Sequence, residues 1–80
     1  MRLDELNKDD RALIVRIHAD KALKERLHSF GIMRGEELVV RGCSLAKQTI
    51  EIEVGGTLIA LRAEEAEKIE VEKIEEERKE

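Results

Sequence analysis

Aromatic residues, cysteine and proline are almost missing from this sequence of 80 residues. Phe30 is the single aromatic residue, Cys43 is the single cysteine, and there is no proline. One cysteine excludes an internal disulfide, and one aromatic residue leaves no platform on which successive nucleic-acid bases stack. The longest unbroken apolar runs have four residues, as from Ala12 to Val15, so no segment is predicted to insert into a membrane.

Charged residues, by contrast, are abundant and unevenly placed. The chain has 15 Lys and Arg against 19 Asp and Glu, a formal net charge of −4. Residues 64–80 hold nine acidic and four basic side chains, a balance of −5, which leaves 10 acidic and 11 basic, or +1, for residues 1–63. A negative chain lacks the basic footprint that phosphate backbones require, so we expect no nucleic-acid partner.

The apolar residues are numerous enough for one small aliphatic core. Hydrophobic residues make up 41% of the chain, which supports one domain but leaves little room for a deep catalytic pocket. We predict a domain over residues 1–74 and a charged tail over residues 75–80. We expect no enzymatic activity, and the lack of an apolar signal segment in residues 1–5 favours a cytoplasmic location.

The first half of the chain predicts a strand followed by a helix. Residues 11–18 alternate like a strand, and Asp20 is placed to cap a helix from Lys21 to Phe30. Gly31 follows where a left-handed helix cap would be needed. On the strand, Leu13, Val15 and Ile17 alternate onto one face and Ile14 lies on the other, so both sides are predicted to be partly buried. On the helix, one apolar stripe is formed by Leu23, Leu27 and Phe30.

The second half predicts short strands joined by tight turns. Gly55-Gly56 is a strong hairpin signal, because both glycines accept positive φ. The predicted fold is therefore mainly β: about five strands, one short helix between the first two, and a helical turn before the last, closed as a small barrel or sandwich. The predicted elements are strands at residues 37–41, 49–54 and 57–61, a helical turn at 63–68 and a last strand from Ile69.

Three motifs in a fixed order carry a resemblance to a known family. They are KERLHSFGIMRG at residues 24–35; Ile50-x-Ile52-x-Val54-x-Gly56 followed by Ile59-Ala60-Leu61-Arg62; and Glu65-Ala66-x-x-Ile69-x-Val71. Together, from Leu3 to about Val71, they resemble the ferrous iron transport protein A (FeoA) family. The resemblance implies an SH3-like barrel with an inserted helix.

The resemblance also implies a function. FeoA-like proteins act beside FeoB, a membrane transporter of Fe²⁺ with a cytoplasmic GTPase domain, as accessory or regulatory partners. The same barrel resembles the C-terminal domain of DtxR-type metal-dependent repressors, so the alternative is a stand-alone metal-sensing barrel. The sequence leaves homo-oligomerisation open.

The sequence departs from the family pattern at three turns. Where the family often has glycine before the first strand, this chain has Asp9 or Asp10. Arg34 replaces the usual proline before the second glycine, and the loop at residues 44–48 lacks the usual glycine and proline. Because these are turn positions, we expect the fold to be kept and loop contacts to differ.

The candidate metal ligands in the sequence are His18, His28 and Cys43. A stable Fe²⁺ or Zn²⁺ site needs several converging ligands, and no pair among these residues has HxxxH, CxxC or ExxH spacing. We therefore expect no resident metal or cofactor, and at most weak binding of Fe²⁺ or another divalent ion.

A protein-contact surface is the stronger functional hypothesis. Apolar residues and arginines lie together at the end of the predicted helix and in its exit turn, and methionine and aromatic groups bordered by arginine are typical of protein interfaces. The predicted partner-binding residues are Arg26, Leu27, Phe30, Met33 and Arg34.

Overall fold

The fold is seen in a computed structural model that describes residues 1–75; the last five residues of the predicted tail lie outside the described part. It contains five strands, two short helices and two 3₁₀ turns. In chain order they are a 3₁₀ turn (Leu3–Glu5), β1 (Arg11–Ile17), α1 (Lys21–Ser29), β2 (Glu37–Cys43), a second 3₁₀ turn (Leu45–Lys47), β3 (Thr49–Val54), β4 (Thr57–Arg62), α2 (Ala63–Ala66) and β5 (Ile69–Ile74). The mainly β prediction is confirmed.

All five strands belong to one antiparallel sheet in the order β4-β3-β2-β1-β5. The Gly55-Gly56 hairpin, with φ of +57° and +84°, joins β3 to β4 as predicted. Within residues 1–75 no ladder joins the edge strands β4 and β5. Instead, α2 packs on β3, β4 and the first 3₁₀ turn, and the same 3₁₀ turn also contacts β5. Together α2 and this 3₁₀ turn cover the open side of the curled sheet.

The core is aliphatic, and its members come from every strand. It holds three alternating residues of β3 and the inward residues of β2, as the sequence pattern predicts. The largest fully buried side chains are Leu3, Leu6, Ile14, Leu27, Ile32, Leu38, Val40, Ile50, Ile52, Leu61, Ile69 and Val71. No helix in the described part of the chain is both long and apolar enough to cross a membrane.

The prediction that both sides of β1 are partly buried is confirmed, and the side of Ile14 is the more deeply buried one. Leu13 and Val15 are only half-buried, while Ala12 and Ile14 are fully buried. The strand contains a bulge: the register with β5 shifts between Ile14 and Arg16, so one extra residue enters the strand. The bulge reverses the inward and outward alternation, which places Ile17 on the core side with Ile14.

The helix α1 begins as predicted but ends one residue earlier. The Asp20 carboxylate accepts the Leu23 N–H at 2.9 Å, which is an N-cap bond. At the other end Gly31 has φ +88°, and the N–H groups of Gly31 and Ile32 donate to the carbonyls of His28 and Leu27. This pair of bonds is a Schellman cap.

The cap also explains why Phe30 is not in the core stripe predicted for it. Phe30 lies at the C-cap with φ −92° and ψ 0°, and its side chain is 45% exposed. Because the chain reverses at Gly31, Ile32 folds back beneath Leu27 and both are fully buried. Ile32 therefore takes the core position that helical spacing alone assigned to Phe30.

Two of the departures from the family pattern have a backbone explanation. Asp9 has φ +75°, so it adopts the left-handed conformation for which glycine is the usual residue. Arg34 precedes Gly35, which has φ +94°, in a turn closed by the Glu36 N–H donating to the Met33 carbonyl at 3.1 Å. Arg34 is then the second residue of a type II turn, where proline is favoured.

Replacing Arg34 with proline is therefore expected to stabilise the protein. No backbone bond from the Arg34 N–H occurs among residues 1–75, so the ring removes no donor that the turn uses. The gain is about 0.5–1 kcal/mol, because proline restricts the unfolded chain. Urea unfolding of Arg34→Pro, with Arg34→Ala as the control for loss of charge, measures it; a proline variant less stable than the alanine variant would refute the turn assignment.

Candidate partner-binding surface

Four of the five predicted partner-binding residues are exposed at the C-terminal end of α1 and in the turn after it, and we call these four the exit patch: Arg26, Phe30, Met33 and Arg34. Phe30 is 45% exposed and Met33 is 40% exposed, and both lie outside the core. The fifth residue, Leu27, is 0% exposed. Leu27 therefore supports the patch from below and is not available to a partner.

Exposed apolar side chains are few in a protein whose core takes up most of its leucine and isoleucine. Besides Phe30 and Met33, the large exposed hydrophobic residues among residues 1–75 are Met1, Leu45 and Leu58. Phe30 and Met33 are separated by only two residues and by the Gly31 reversal, so they come from one continuous turn. An aromatic ring and a flexible thioether with arginines in the same segment match the composition of protein interfaces.

Arg26 has a structural role in addition to its place in the patch. Its guanidinium donates to the carboxylate of Glu65, which is 9% exposed and also accepts the Arg62 N–H at 3.0 Å. This ion pair joins the end of α1 to α2. The pairing was not predicted from the sequence, because 39 residues separate the partners. Arg34 has no side-chain partner within residues 1–75, so it is the freer cation of the patch.

The three candidate metal ligands lie in two different places. His18 and His28 both line a surface cleft of about 780 Å³ between the end of β1 and α1, whereas Cys43 is exposed at the end of β2 and does not line it. No group of three or more His, Cys, Asp or Glu side chains in the described part of the chain is close enough to hold a metal ion. The expectation that no metal is resident stays a prediction.

His18 already has a partner. Its Nε2 lies 2.8 Å from Oε1 of Glu70, on the neighbouring strand β5. This hydrogen bond holds the pKa of the Glu70 carboxyl below its ordinary value of 4.5, and the charges of His18 and Arg16 act in the same direction. A lowered pKa means that the pair stabilises the fold above pH 4.5 and that this contribution is lost as pH falls through the folded-state pKa.

The pair gives a pH prediction that NMR measures directly. In the wild type the Glu70 side-chain carboxyl is expected to titrate with a midpoint below 4.5, and in His18→Ala the midpoint is expected to rise toward 4.5. The control is His28→Ala, which removes the other histidine of the cleft but no contact of Glu70. An unchanged midpoint in His18→Ala would show that the hydrogen bond does not form in solution.

The fold defines the class of protein to which this chain belongs: a five-stranded SH3-like domain with an inserted helix. The FeoA domain family matches residues 1–73. A Campylobacter jejuni relative named for Fe(2+) transport protein A is 41% identical over 71 residues, 89% of this chain and 96% of its own length. The chain belongs to the FeoA family.

A second relative places a FeoA segment in a larger polypeptide. The Fe(2+) transport protein A/Fe(2+) transporter FeoB fusion protein of Porphyromonas gingivalis is 34% identical over 74 residues, which are 92% of this chain and 9% of the fusion. In that protein the two components are parts of one chain.

Solved structures agree with the family assignment. The solution structure of FeoA from Chlorobium tepidum superimposes with a TM-score of 0.88 at 33% identity, covering 98% of this chain and 74% of that one. A manganese-dependent transcriptional repressor superimposes with a TM-score of 0.85 at 22% identity, covering 91% of this chain and 40% of the repressor. At that identity the second likeness shows the fold alone.

Proposed function

We propose that this protein is an accessory component of ferrous iron uptake that acts by contacting the cytoplasmic GTPase part of FeoB. The proposal rests on the fusion found in Porphyromonas gingivalis, where a segment related to this chain is part of the same polypeptide as FeoB. A covalent link gives two domains an effective concentration in the millimolar range for a short flexible connection, so even a weak contact is occupied. Two domains that are not linked associate only through a contact surface.

The exit patch is the surface that we propose for this contact. Phe30 and Met33 supply the apolar centre, because each leaves nearly half of its surface in water when the protein is alone. Arg34 supplies a border cation without a competing partner among residues 1–75. Such a patch is small, and small interfaces are typical of weak, transient signalling contacts.

Regulation by contact assigns no chemical step to this chain. GTP hydrolysis and Fe²⁺ movement would both belong to FeoB, and the chain would alter the population of one FeoB state by binding that state more tightly. Because the proposed partner domain is cytoplasmic, the proposal also places this protein in the cytoplasm.

The alternative is a metal-sensing barrel related to the repressors, for which the support is the fold together with two histidines in one cleft. Anaerobic titration with Fe²⁺ or Mn²⁺ separates the two functions. Micromolar binding that is lost in His18→Ala would favour the sensor. Heat and chemical shifts unchanged by metal would favour the contact function.

Calorimetry of the separate proteins tests the proposal. The full chain is titrated into the cytoplasmic domain of its own FeoB in the nucleotide-free, GDP-bound and GTP-analogue-bound states. We expect saturable binding with a Kd of about 1–100 µM in at least one state, with affinities that differ between states. Absence of binding in all three states at concentrations well above that range would contradict the proposal.

A further inference from the structure

Positively charged side chains that are far apart in the sequence lie together in the cleft between β1 and α1. Six nitrogen-bearing side chains line it: Arg16, His18, Lys24, His28, Arg34 and Lys68. They come from the end of β1, from α1, from the turn after α1 and from the segment before β5. The chain as a whole is acidic, with a net charge of −4, so this basic concentration is local.

One acidic residue, Asp20, lines the cleft, and a second, Glu70, is bonded to a histidine that lines it. The Asp20 carboxylate accepts the Leu23 N–H as the cap of α1, and Glu70 is bonded to His18. Lys24 and Lys68, like Arg34, have no hydrogen-bonded or ion-paired side-chain partner among residues 1–75. Four Lys and Arg side chains against the one carboxylate of Asp20 leave an excess of positive charge in the cleft, and such an excess attracts groups of the opposite sign.

One wall of the cleft is the part of the β1 edge that β2 does not cover. The strand β2 pairs with β1 only from Arg11 to Leu13. The turn after α1 then covers Ile14, whose N–H and C=O bond to Glu36 and Gly35. Beyond Ile14, β1 has a ladder with β5 on one side, and no strand in residues 1–75 pairs with it on the other.

The backbone polarity of this edge follows from the alternation of antiparallel strands. The His18 N–H donates to the Lys68 carbonyl at 2.7 Å, toward β5. Neighbouring residues direct their backbone groups to opposite sides, so the N–H and C=O of Ile17 point away from β5, toward the cleft. An open edge of this kind is a template for another extended chain.

We propose that the cleft binds an extended acidic peptide segment of another protein by β-strand addition beside Val15–Ile17. The strand edge would supply main-chain hydrogen bonds, and Lys24, Arg34 and Lys68 would select carboxylates on the added strand. The occupant is a peptide and not a single small anion, because about 780 Å³ is far more room than one phosphate fills and because the exposed edge matches an extended backbone. The proposal does not rest on the FeoB contact, although Arg34 belongs to both the exit patch and the cleft.

Two short blocked peptides of equal length test it, one alternating glutamate with valine and the other alternating lysine with valine. Fluorescence anisotropy is expected to show binding of the glutamate peptide only. On binding, the Ile17 amide is expected to gain protection from hydrogen exchange. Lys24→Glu is expected to weaken binding of the glutamate peptide about fivefold or more, since it reverses a charge beside the added strand.

Lys8→Glu is the matched control, with the same charge change at the other end of β1. Four residues of strand, Arg11 to Ile14, separate Lys8 from the cleft by about 13 Å, which is beyond the Debye length of about 8 Å at physiological salt. Equal binding of both peptides, equal loss in the two variants, or competition by inorganic phosphate at the peptide's own concentration would overturn the proposal. Binding without protection at Ile17 would overturn the strand-addition part and leave only charge attraction.

Discussion

Replacing Met33 with glutamate is expected to lower the affinity for the FeoB cytoplasmic domain about tenfold or more, because a charge would be desolvated at the apolar centre of the contact. The fold is expected to remain intact, since Met33 is 40% exposed and does not belong to the core. Calorimetry gives the affinity, and thermal unfolding of the free variant gives its stability.

Leu58→Glu is the matched control for this experiment. Leu58 is 60% exposed on β4, so the substitution places the same charge on another exposed apolar residue. We expect Leu58→Glu to bind FeoB as the wild type does. If both variants lost affinity equally, net charge and not the exit patch would control binding. If neither lost affinity, Met33 would not be part of the contact.

Leu27→Ala is expected to lower the free energy of unfolding by about 3 kcal/mol, the largest stability effect that we predict. Leu27 is fully buried, and the substitution removes only its side chain, since the backbone carbonyl that closes the Schellman cap is kept. Truncation leaves a cavity beneath the exit patch that a sheet of this size has little freedom to fill. Urea unfolding followed by circular dichroism measures the loss.

Leu23→Ala is the comparison within the same helix. Leu23 is only partly buried against the core, so the same truncation is expected to cost about 1 kcal/mol. An equal loss at the two positions would contradict the burial difference between them. Because Leu27 contacts no partner in this account, Leu27→Ala is expected to weaken FeoB binding only to the extent that the variant is unfolded.

The fold followed from the sequence wherever alternation was regular and turns were marked by glycine. The strand β3 and its hairpin at Gly55-Gly56 have the bounds that the pattern predicts. In β1, Ile17 shares the core side with Ile14 and not with Leu13 and Val15, because a bulge is a pairing event between β1 and β5 and leaves no mark in the local sequence pattern.

The site was predictable only in part, for a similar reason. Helical spacing assigned Phe30 to the core, but the reversal at Gly31 exposed it and buried Ile32 in its place. The glycine directly after Phe30 does predict a left-handed cap, after which an apolar residue such as Ile32 often folds back on the last turn; helical spacing alone takes no account of that reversal. The basic cleft has no local signal, because tertiary structure alone brings Lys24 and Lys68 to one surface.

Chemical-shift mapping shows directly which backbone amides of this protein lie at a contact with FeoB, and so whether the exit patch is that contact. The isotope-labelled protein is titrated with the unlabelled FeoB cytoplasmic domain in the nucleotide state that binds best. If the exit patch is the contact, the perturbed amides cluster from Arg26 to Gly35 and spare the β3–β4 hairpin. Perturbations centred on the hairpin, or a spectrum that FeoB leaves unchanged, would contradict this contact.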